Sequence, residues 1–158
     1  MDNAFRQPQQ ILLLGGTSDI GLAIVRELLS PATRTVVLAC RDLVKGEAAA
    51  EGLRHDHLQV EVVAFDGSQP DTHAAIIDGV AARHGDIDVV INAFALLGHG
   101  EATSRDLGEA VQVAQVNFTG AVAATIAAAN VLRAQGHGSI VVLSSVAVTK
   151  RMTSLPMR

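Results

Sequence analysis

The residues best suited to chemistry stand where two buried strands are expected to end. The first group is the segment GGTSDIG, residues 15–21, which follows the apolar run ILLL and opens a helical pattern. Backbone N–H groups at a helix N-terminus bind anions, helped by the helix dipole, and glycine lets a pyrophosphate approach the backbone. The second group is Ser144 and Ser145, after the apolar run IVVL. Both stand where a parallel sheet usually places its chemistry, and Ser144 is expected to hydrogen-bond at the strand end.

The glycine-rich segment also has a plainer interpretation. Its spacing, Gly15-x-x-x-Asp19-x-Gly21, differs from G-x-G-x-x-G, and a simple strand-to-helix turn with Asp19 as the helix N-cap would account for it. If the segment binds a dinucleotide, either Asp19 adopts the left-handed conformation or the turn differs from the usual one. In both cases its carboxylate should point away from a pyrophosphate.

Apolar runs and helical patterns alternate along the chain. Strands are expected at 11–14, 35–40, 60–65, 87–94 and 139–145, and helices at 19–29, 42–54, 71–85 and roughly 106–134. Such an alternation predicts a parallel sheet with helices on both faces. No internal repeat or linker interrupts the pattern, so the sequence predicts a single domain over residues 1–158.

Composition narrows the class of protein. With 158 residues, 49% of them hydrophobic and 18% charged, the chain can bury a core and does not resemble a disordered protein. A formal net charge of −4 gives no general attraction to nucleic acid or anionic lipid. The single cysteine cannot form an internal disulfide, and no signal peptide or membrane-spanning run is expected. The composition therefore favours a cytoplasmic protein.

Taken in order, the motifs resemble those of the short-chain dehydrogenase/reductase family. The family's glycine loop reads T-G-x-x-x-G-x-G, and Asp66 in AFDG matches its aspartate that contacts adenine. INAFALLG resembles the N-N-A-G stretch from Asn92, although Ala93, Phe94 and Ala95 replace its last three residues. VNFTG places Asn117 at the asparagine of the long helix, and IVVLSS places Ser145 at the catalytic serine. The resemblance covers essentially the whole chain.

This resemblance implies a fold and a ligand. The fold is an α/β Rossmann-type, doubly wound parallel sheet with strand order 3-2-1-4-5, from which the family's C-terminal strands are missing here. The ligand is a nicotinamide cofactor, and the domain is an NAD(P)-binding one. The implied cofactor contacts are Gly15, Thr17, Ser18, Asp19, Ile20, Gly21, Arg41, Asp66, Asn92 and Ala93.

The residues after the second strand indicate which cofactor is preferred. An acidic residue at the end of this strand selects NAD by accepting hydrogen bonds from the ribose hydroxyls. Here the position is Cys40, followed by Arg41. A neutral side chain does not repel a 2′-phosphate, and a guanidinium can bind it in fork geometry. NADP(H) is therefore the preferred cofactor and NAD(H) an alternative; Arg41 could also be a solvated loop arginine paired with Asp42.

The catalytic residues that the resemblance implies are only half present. In the family a serine holds the substrate carbonyl and a tyrosine delivers the proton, while a lysine lowers the tyrosine pKa and an asparagine supports a water relay. Ser145 and Asn117 match the serine and the asparagine. The sequence has no tyrosine, and Arg158 stands at its expected place. Two interpretations stay open: an oxidoreductase represented by its cofactor-binding part, inactive by itself, or a truncated, non-catalytic nucleotide-binding or interaction module.

Segments such as VVLAC, AFALLG and LRAQGHG are similar to one subgroup of the family. These reductases complete the epimerisation of decaprenylphosphoryl ribose to arabinose for actinobacterial cell walls. The similarity implies a ketone or keto-sugar substrate, with a 2-keto pentose on a polyprenyl phosphate as the specific case. Any membrane association would then come through a lipid-linked substrate or partner.

Two further expectations concern assembly and metals. The alanine-rich long helix and the outer edge of the fifth strand predict a homo-oligomer, because an unpaired apolar edge invites pairing. The six histidines are scattered or lie in a loop, as His55 and His57 do, and do not predict a metal site.

Overall fold

The sheet is parallel throughout and has the strand order expected from the sequence. The structure is a computed structural model, which describes residues 7–99 and 105–144. Its five strands are β1 Gln10–Leu14, β2 Thr35–Cys40, β3 Gln59–Ala64, β4 Val89–Asn92 and β5 Ser139–Val142. They pair in the order β3-β2-β1-β4-β5. The predicted doubly wound α/β fold is confirmed.

Helices cover both faces of this sheet. They are α1 Asp19–Leu28, α2 Leu43–Glu51, α3 Pro70–His84, α4 Leu107–Ala114 and α5 Ala121–Gln135, with a π-helical segment Gln115–Gly120 that joins α4 to α5. Strand β1 is buried along its whole length. Ile11 and Leu13 pack with α1 and α2, whereas Leu12 and Leu14 pack with α3 and α5. Because successive strand residues face opposite sides, a strand buried on both faces is apolar along most of its length, and in β1 only Gln10 at the start is polar.

Strand β4 is shorter than the predicted 87–94 because side chains take up the backbone groups at its start. The Gln135 side chain accepts a hydrogen bond from the Ile87 N–H at 3.1 Å and donates one to the Ile87 carbonyl at 2.6 Å. The Asp88 carboxylate, also buried, accepts hydrogen bonds from the N–H groups of Gln9 and Gln10. The amino end of the sheet is thus held by bonds between side chains and backbone.

The helical stretch from α4 to α5 is continuous and apolar. By length and composition alone, residues 107–135 could cross a membrane, which the sequence analysis did not expect. In the structure, however, its inner side chains Ala124, Ala128 and Leu132 are buried in the core. The core helix of a globular domain passes the same test of length and composition.

One side of this long helix is exposed and carries large apolar side chains. We call these residues the apolar helix face: Leu107, Val111, Phe118, Val122 and Ile126.

Candidate functional site

The glycine-rich loop follows β1 at the carboxyl end of the sheet. The N–H groups of Gly15 and Gly16 both donate to the Ala39 carbonyl on β2, at 2.8 and 2.9 Å. Gly15 has a φ of +94°, and a Cβ there would lie 2.6 Å from the Phe94 nitrogen. Only glycine adopts this conformation readily and leaves room for such a close approach. The loop is therefore fixed against β2 and the end of β4.

Helix α1 begins with Ser18 as its N-cap. The Ser18 hydroxyl accepts a hydrogen bond from the Gly21 N–H at 3.2 Å, and Asp19 is the first helical residue. Asp19 therefore does not cap the helix, in contrast to the plainer interpretation of the sequence, and it does not adopt the left-handed conformation. Its side chain is exposed.

The start of α1 leaves three backbone donors available. The Ser18 N–H bonds to the Gly15 carbonyl at 2.8 Å, but those of Thr17, Asp19 and Ile20 make no hydrogen bond within the described residues. These donors lie at the positive end of the helix dipole, which is the arrangement that binds phosphate groups. The glycine-rich loop can therefore bind an anion through its backbone.

Two small residues allow α1 to lie close to the sheet. A Cβ at Gly21 would lie 2.7 Å from the Leu13 Cδ1 atom and 3.0 Å from the Ala93 Cβ atom. A larger residue at position 21 would push the helix start away from β1 and β4. Gly21 and Ala93 thus set the position of the three donors by packing.

The end of β2 places a buried thiol beside an exposed guanidinium. Cys40 is 3% exposed, and its Sγ atom lies 3.3 Å from the Asp42 carbonyl, to which it donates. Burial is the main cause that raises the pKa of Cys40, and the negative charges of Asp42 and Glu47 add to it. The thiol therefore stays uncharged near neutral pH. Arg41, the next residue, is exposed.

Asp66 follows β3 at the same edge of the sheet. Its Oδ1 atom accepts hydrogen bonds from the Ser68 N–H at 2.9 Å and the Ser68 hydroxyl at 2.8 Å. The backbone bond from Ser68 is the largest cause that lowers the pKa of Asp66, and the nearby charge of Arg41 lowers it further. Asp66 is therefore an oriented carboxylate within the electrostatic reach of Arg41.

Asn92 and Ala93 lie at the end of β4. Asn92 is 3% exposed, and its side-chain amide is 3.5 Å from the Ala121 carbonyl at the start of α5. The Ala93 N–H donates to the Leu14 carbonyl at 2.8 Å. Both residues join β4 to its neighbours, and their role as cofactor contacts stays a prediction.

Asn117 lies in the π-helical segment and holds the loop after β4. Its Oδ1 atom accepts from the Leu96 N–H at 2.7 Å, and its Nδ2 atom donates to the Leu96 carbonyl at 2.8 Å. Strand β5 leads to the opposite side of this loop, where the Leu143 N–H bonds to the Asn92 carbonyl at 3.0 Å. Ser144 is exposed, and Ser145 lies outside the described residues.

Comparison with known proteins identifies the family. A family model described as short chain dehydrogenase matches residues 9–157. The chain belongs to the short-chain dehydrogenase family. An uncharacterized oxidoreductase in the mprA 5′ region of Streptomyces coelicolor is 44% identical over 141 residues, which are 89% of this chain and 55% of that protein. The chain thus spans little more than half the length of this relative.

Solved structures of other short-chain dehydrogenases share the fold. NAD⁺-bound xylitol dehydrogenase superposes with a TM-score of 0.82 at 23% identity, over 90% of this chain and 55% of that one. The F189W actinorhodin polyketide ketoreductase with NADPH gives 0.79 at 24% identity, over 92% and 56%. One of these two structures holds NAD⁺ and the other NADPH, so the fold accepts either cofactor.

Phe65, His73 and Phe94 form an aromatic cluster next to the Asp66 turn of this short-chain dehydrogenase, and the sequence did not predict it. His73 is fully buried; its ring stacks on Phe65 with centroids 4.4 Å apart and lies 6.2 Å from that of Phe94. A Cβ at Gly67 would lie 2.6 Å from the Phe94 ring. His73 occupies an inward position of α3 together with Ile77, and this helical spacing was the only sequence signal of its burial.

Proposed function

We propose that this chain is the cofactor-binding part of an NADP(H)-dependent oxidoreductase that reduces a ketone to an alcohol. The observation that carries the proposal is the end of β2, where the uncharged Cys40 thiol lies next to the exposed Arg41. A 2′-phosphate would meet no negative side chain at that residue and could accept two hydrogen bonds from the guanidinium. NAD(H) would lack this contact.

We place the remaining proposed cofactor contacts at the same carboxyl edge of the sheet. In this proposal the unbonded N–H groups of Thr17, Asp19 and Ile20 hold the pyrophosphate. Asp66 accepts a hydrogen bond from adenine, and Asn117 keeps the loop at Leu96 in place. The bound nicotinamide supplies a hydride to the ketone carbon. Ser145 is the residue that we propose to hold the ketone oxygen.

The substrate class is a narrower proposal. Segments similar to the decaprenylphosphoryl arabinose reductases favour a keto sugar, and specifically a 2-keto pentose carried on a polyprenyl phosphate. In this proposal the enzyme acts in the cytoplasm and meets the membrane only through its lipid-linked substrate. We also propose that copies of the chain associate, because the apolar helix face and the outer edge of β5 both expose large apolar side chains.

A second candidate function is a nucleotide-binding or interaction module without turnover. It is compatible with these 158 residues, which contain no tyrosine to serve as the family's proton donor. A positioned general acid contributes about 10²–10⁴-fold to such a reaction. Oxidation of NADPH with a panel of ketones, including the lipid-linked 2-keto pentose, distinguishes the two candidates. Steady turnover by the 158-residue chain would exclude the non-catalytic module.

Replacement of Arg41 tests the cofactor proposal. We expect Arg41→Leu to weaken NADPH binding about ten- to a hundredfold and to leave NADH binding nearly unchanged, because only NADPH loses a charged hydrogen bond. Calorimetric titration of both cofactors measures the two affinities. Arg34→Leu is the matched control, since Arg34 is also exposed but precedes β2 at the opposite end of the strand. An equal loss for both cofactors in Arg41→Leu would show that Arg41 is structural.

A further inference from the structure

The His73 side chain forms a hydrogen bond to the turn that contains Asp66. The His73 side chain is fully buried, and its Nε2 atom lies 3.0 Å from the Asp66 carbonyl oxygen. A carbonyl oxygen can only accept a hydrogen bond, so the hydrogen lies on Nε2 and this nitrogen donates. The bond joins the first turn of α3 to Asp66, which follows β3.

Packing alone does not require an imidazole at this position. The His73 Nδ1 atom is buried and has no hydrogen-bond partner among the described residues. An unpaired buried polar atom destabilises a fold, whereas an apolar side chain of similar size would fill the space against Phe65 without that cost. What histidine adds over an apolar residue is the bond to Asp66.

Three residues, Ser68, Gln69 and His73, form hydrogen bonds to Asp66. Its carbonyl accepts a second hydrogen bond, from the Gln69 N–H at 3.0 Å, and its Oδ1 atom accepts both bonds from Ser68. Within the part of the chain that the structure describes, no hydrogen bond involves the Oδ2 atom of Asp66. The backbone and one carboxylate oxygen are therefore fixed, while the other oxygen is available to a ligand.

We propose that His73 is a positioning residue that sets how strongly Asp66 recognises the adenine amino group of the cofactor. The inference rests on the proposed function, because it needs a dinucleotide at this edge of the sheet. A carboxylate only accepts hydrogen bonds, so its partner must offer an N–H donor. In the adenine base of the dinucleotide, the exocyclic amino group is that donor. Loss of the His73 bond lets the turn move and misaligns the carboxylate.

The test compares NADPH with its hypoxanthine analogue, in which a carbonyl oxygen replaces the adenine amino group. We expect the 158-residue chain to prefer NADPH about tenfold or more, because the carbonyl oxygen that replaces the amino group cannot donate to the Asp66 carboxylate and repels it. In His73→Leu this preference should fall toward parity, mainly through an about three- to tenfold loss of NADPH affinity. In His73→Gln it should persist, because the glutamine Nε2 atom can donate in place of the imidazole.

Ile77→Val is the matched control. Ile77 is equally buried on α3 but is one helical turn further on, so its replacement perturbs packing without touching Asp66. It should change the melting temperature and leave the preference unaltered. Melting curves of all variants report whether each one is folded.

Three outcomes would overturn the inference. The first is a wild-type preference retained in His73→Leu, and the second is an equal loss in His73→Leu and His73→Gln. The third is NADPH binding without any preference over the hypoxanthine analogue, which would leave the proposed function standing but show that Asp66 does not read adenine. Failure of the wild-type chain to bind either dinucleotide would instead contradict the proposed function, and the inference would fall with it.

Discussion

At the scale of single residues, the end of β2 combines two opposite environments. Cys40 is buried and uncharged, and Arg41 beside it is exposed and charged. The strand end therefore has no carboxylate at Cys40 itself and a positive charge beside it, although the charges of Asp42 and Glu47 still act on the thiol. Asp66 on the neighbouring strand end balances the charge of Arg41, and its lowered pKa keeps it ionised even in mild acid.

We expect Cys40 to react very slowly with iodoacetamide in the folded chain. The thiolate is the reacting form, and both burial and the raised pKa reduce its accessible amount. Because the sequence contains one cysteine, the mass of the alkylated chain reports this residue alone. The rate should rise to that of a free thiol in denaturant. Equally fast labelling without denaturant would mean that the Cys40 thiol at the end of β2 is accessible to solvent in the folded chain.

The same thiol makes stability depend on pH at the alkaline side. The folded chain holds the Cys40 proton more tightly than the unfolded chain, since its pKa is raised. Its contribution to the free energy of unfolding is therefore present below the pKa of the unfolded thiol. That contribution is lost as the pH rises through the folded value.

Residues next to strand ends could be located from the sequence, but their partners could not. Gly15, Arg41 and Asp66 each follow an apolar run, and parallel strands bring their carboxyl ends to one edge. The bonds from His73 to Asp66 and from Asn117 to Leu96 join a side chain to backbone in another element. Any residue has such a backbone group, so the sequence contains no pattern that identifies the acceptor.

At the scale of elements, the strands were predictable and the geometry of the long helix was not. Continuous apolar runs mark buried strands in any parallel sheet. The sequence analysis predicted one helix over roughly 106–134, and the structure divides it by the π-helical segment Gln115–Gly120. Propensities for α- and π-helical turns do not differ visibly along QVNFTG, so only packing reveals the change. Gly120, the last residue of this segment, packs closely against Gly67.

We expect Gly120→Ala to destabilise the chain and Gly79→Ala to stabilise it. A Cβ at Gly120 would lie 2.0 Å from the Gly67 carbonyl oxygen, a backbone atom that cannot move aside easily. The overpacking should cost about 1–3 kcal/mol of the free energy of unfolding. At Gly79 on α3 the nearest atom is the flexible Arg83 guanidinium at 3.4 Å, so alanine should gain about 0.5–1 kcal/mol.

Urea unfolding of the two variants and the wild type measures both changes. The pair is matched because each substitution adds one methyl group to a helical backbone. Equal stability of Gly120→Ala and Gly79→Ala would rule out the close approach between the long helix and the Asp66 turn.

At the scale of the whole molecule, the described residues expose large apolar side chains in several places, and the apolar helix face carries five of them. Phe118 is 72% exposed and Ile126 57% exposed on the apolar helix face, and the outer edge of β5 adds Val142 at 48%. A row of exposed large apolar side chains along one helix is typical of an interaction site.

We expect the chain to self-associate in sedimentation velocity, and Ile126→Lys to shift it toward the monomer. A charge at position 126, within the apolar helix face, would have to be desolvated in an interface that buries this face. Val44→Lys is the control, because Val44 is 82% exposed but lies on α2, on the other side of the sheet. A monomeric wild-type chain at high concentration, with a cooperative melt, would contradict the proposed association.

The two ends of the sheet should also differ in how readily they open. Side chains of Asp88 and Gln135 take up backbone N–H groups at the amino end, whereas the donors of Thr17, Asp19 and Ile20 meet no acceptor in the described residues. An amide hydrogen that makes no bond exchanges with solvent without any local unfolding, whereas a bonded one must first be released. We therefore expect amides at the amino end of the sheet to exchange slowly in the free chain, and those of Thr17, Asp19 and Ile20 in the glycine-rich loop to exchange rapidly. A phosphate bound there would slow exchange at amides that the fold itself leaves unprotected.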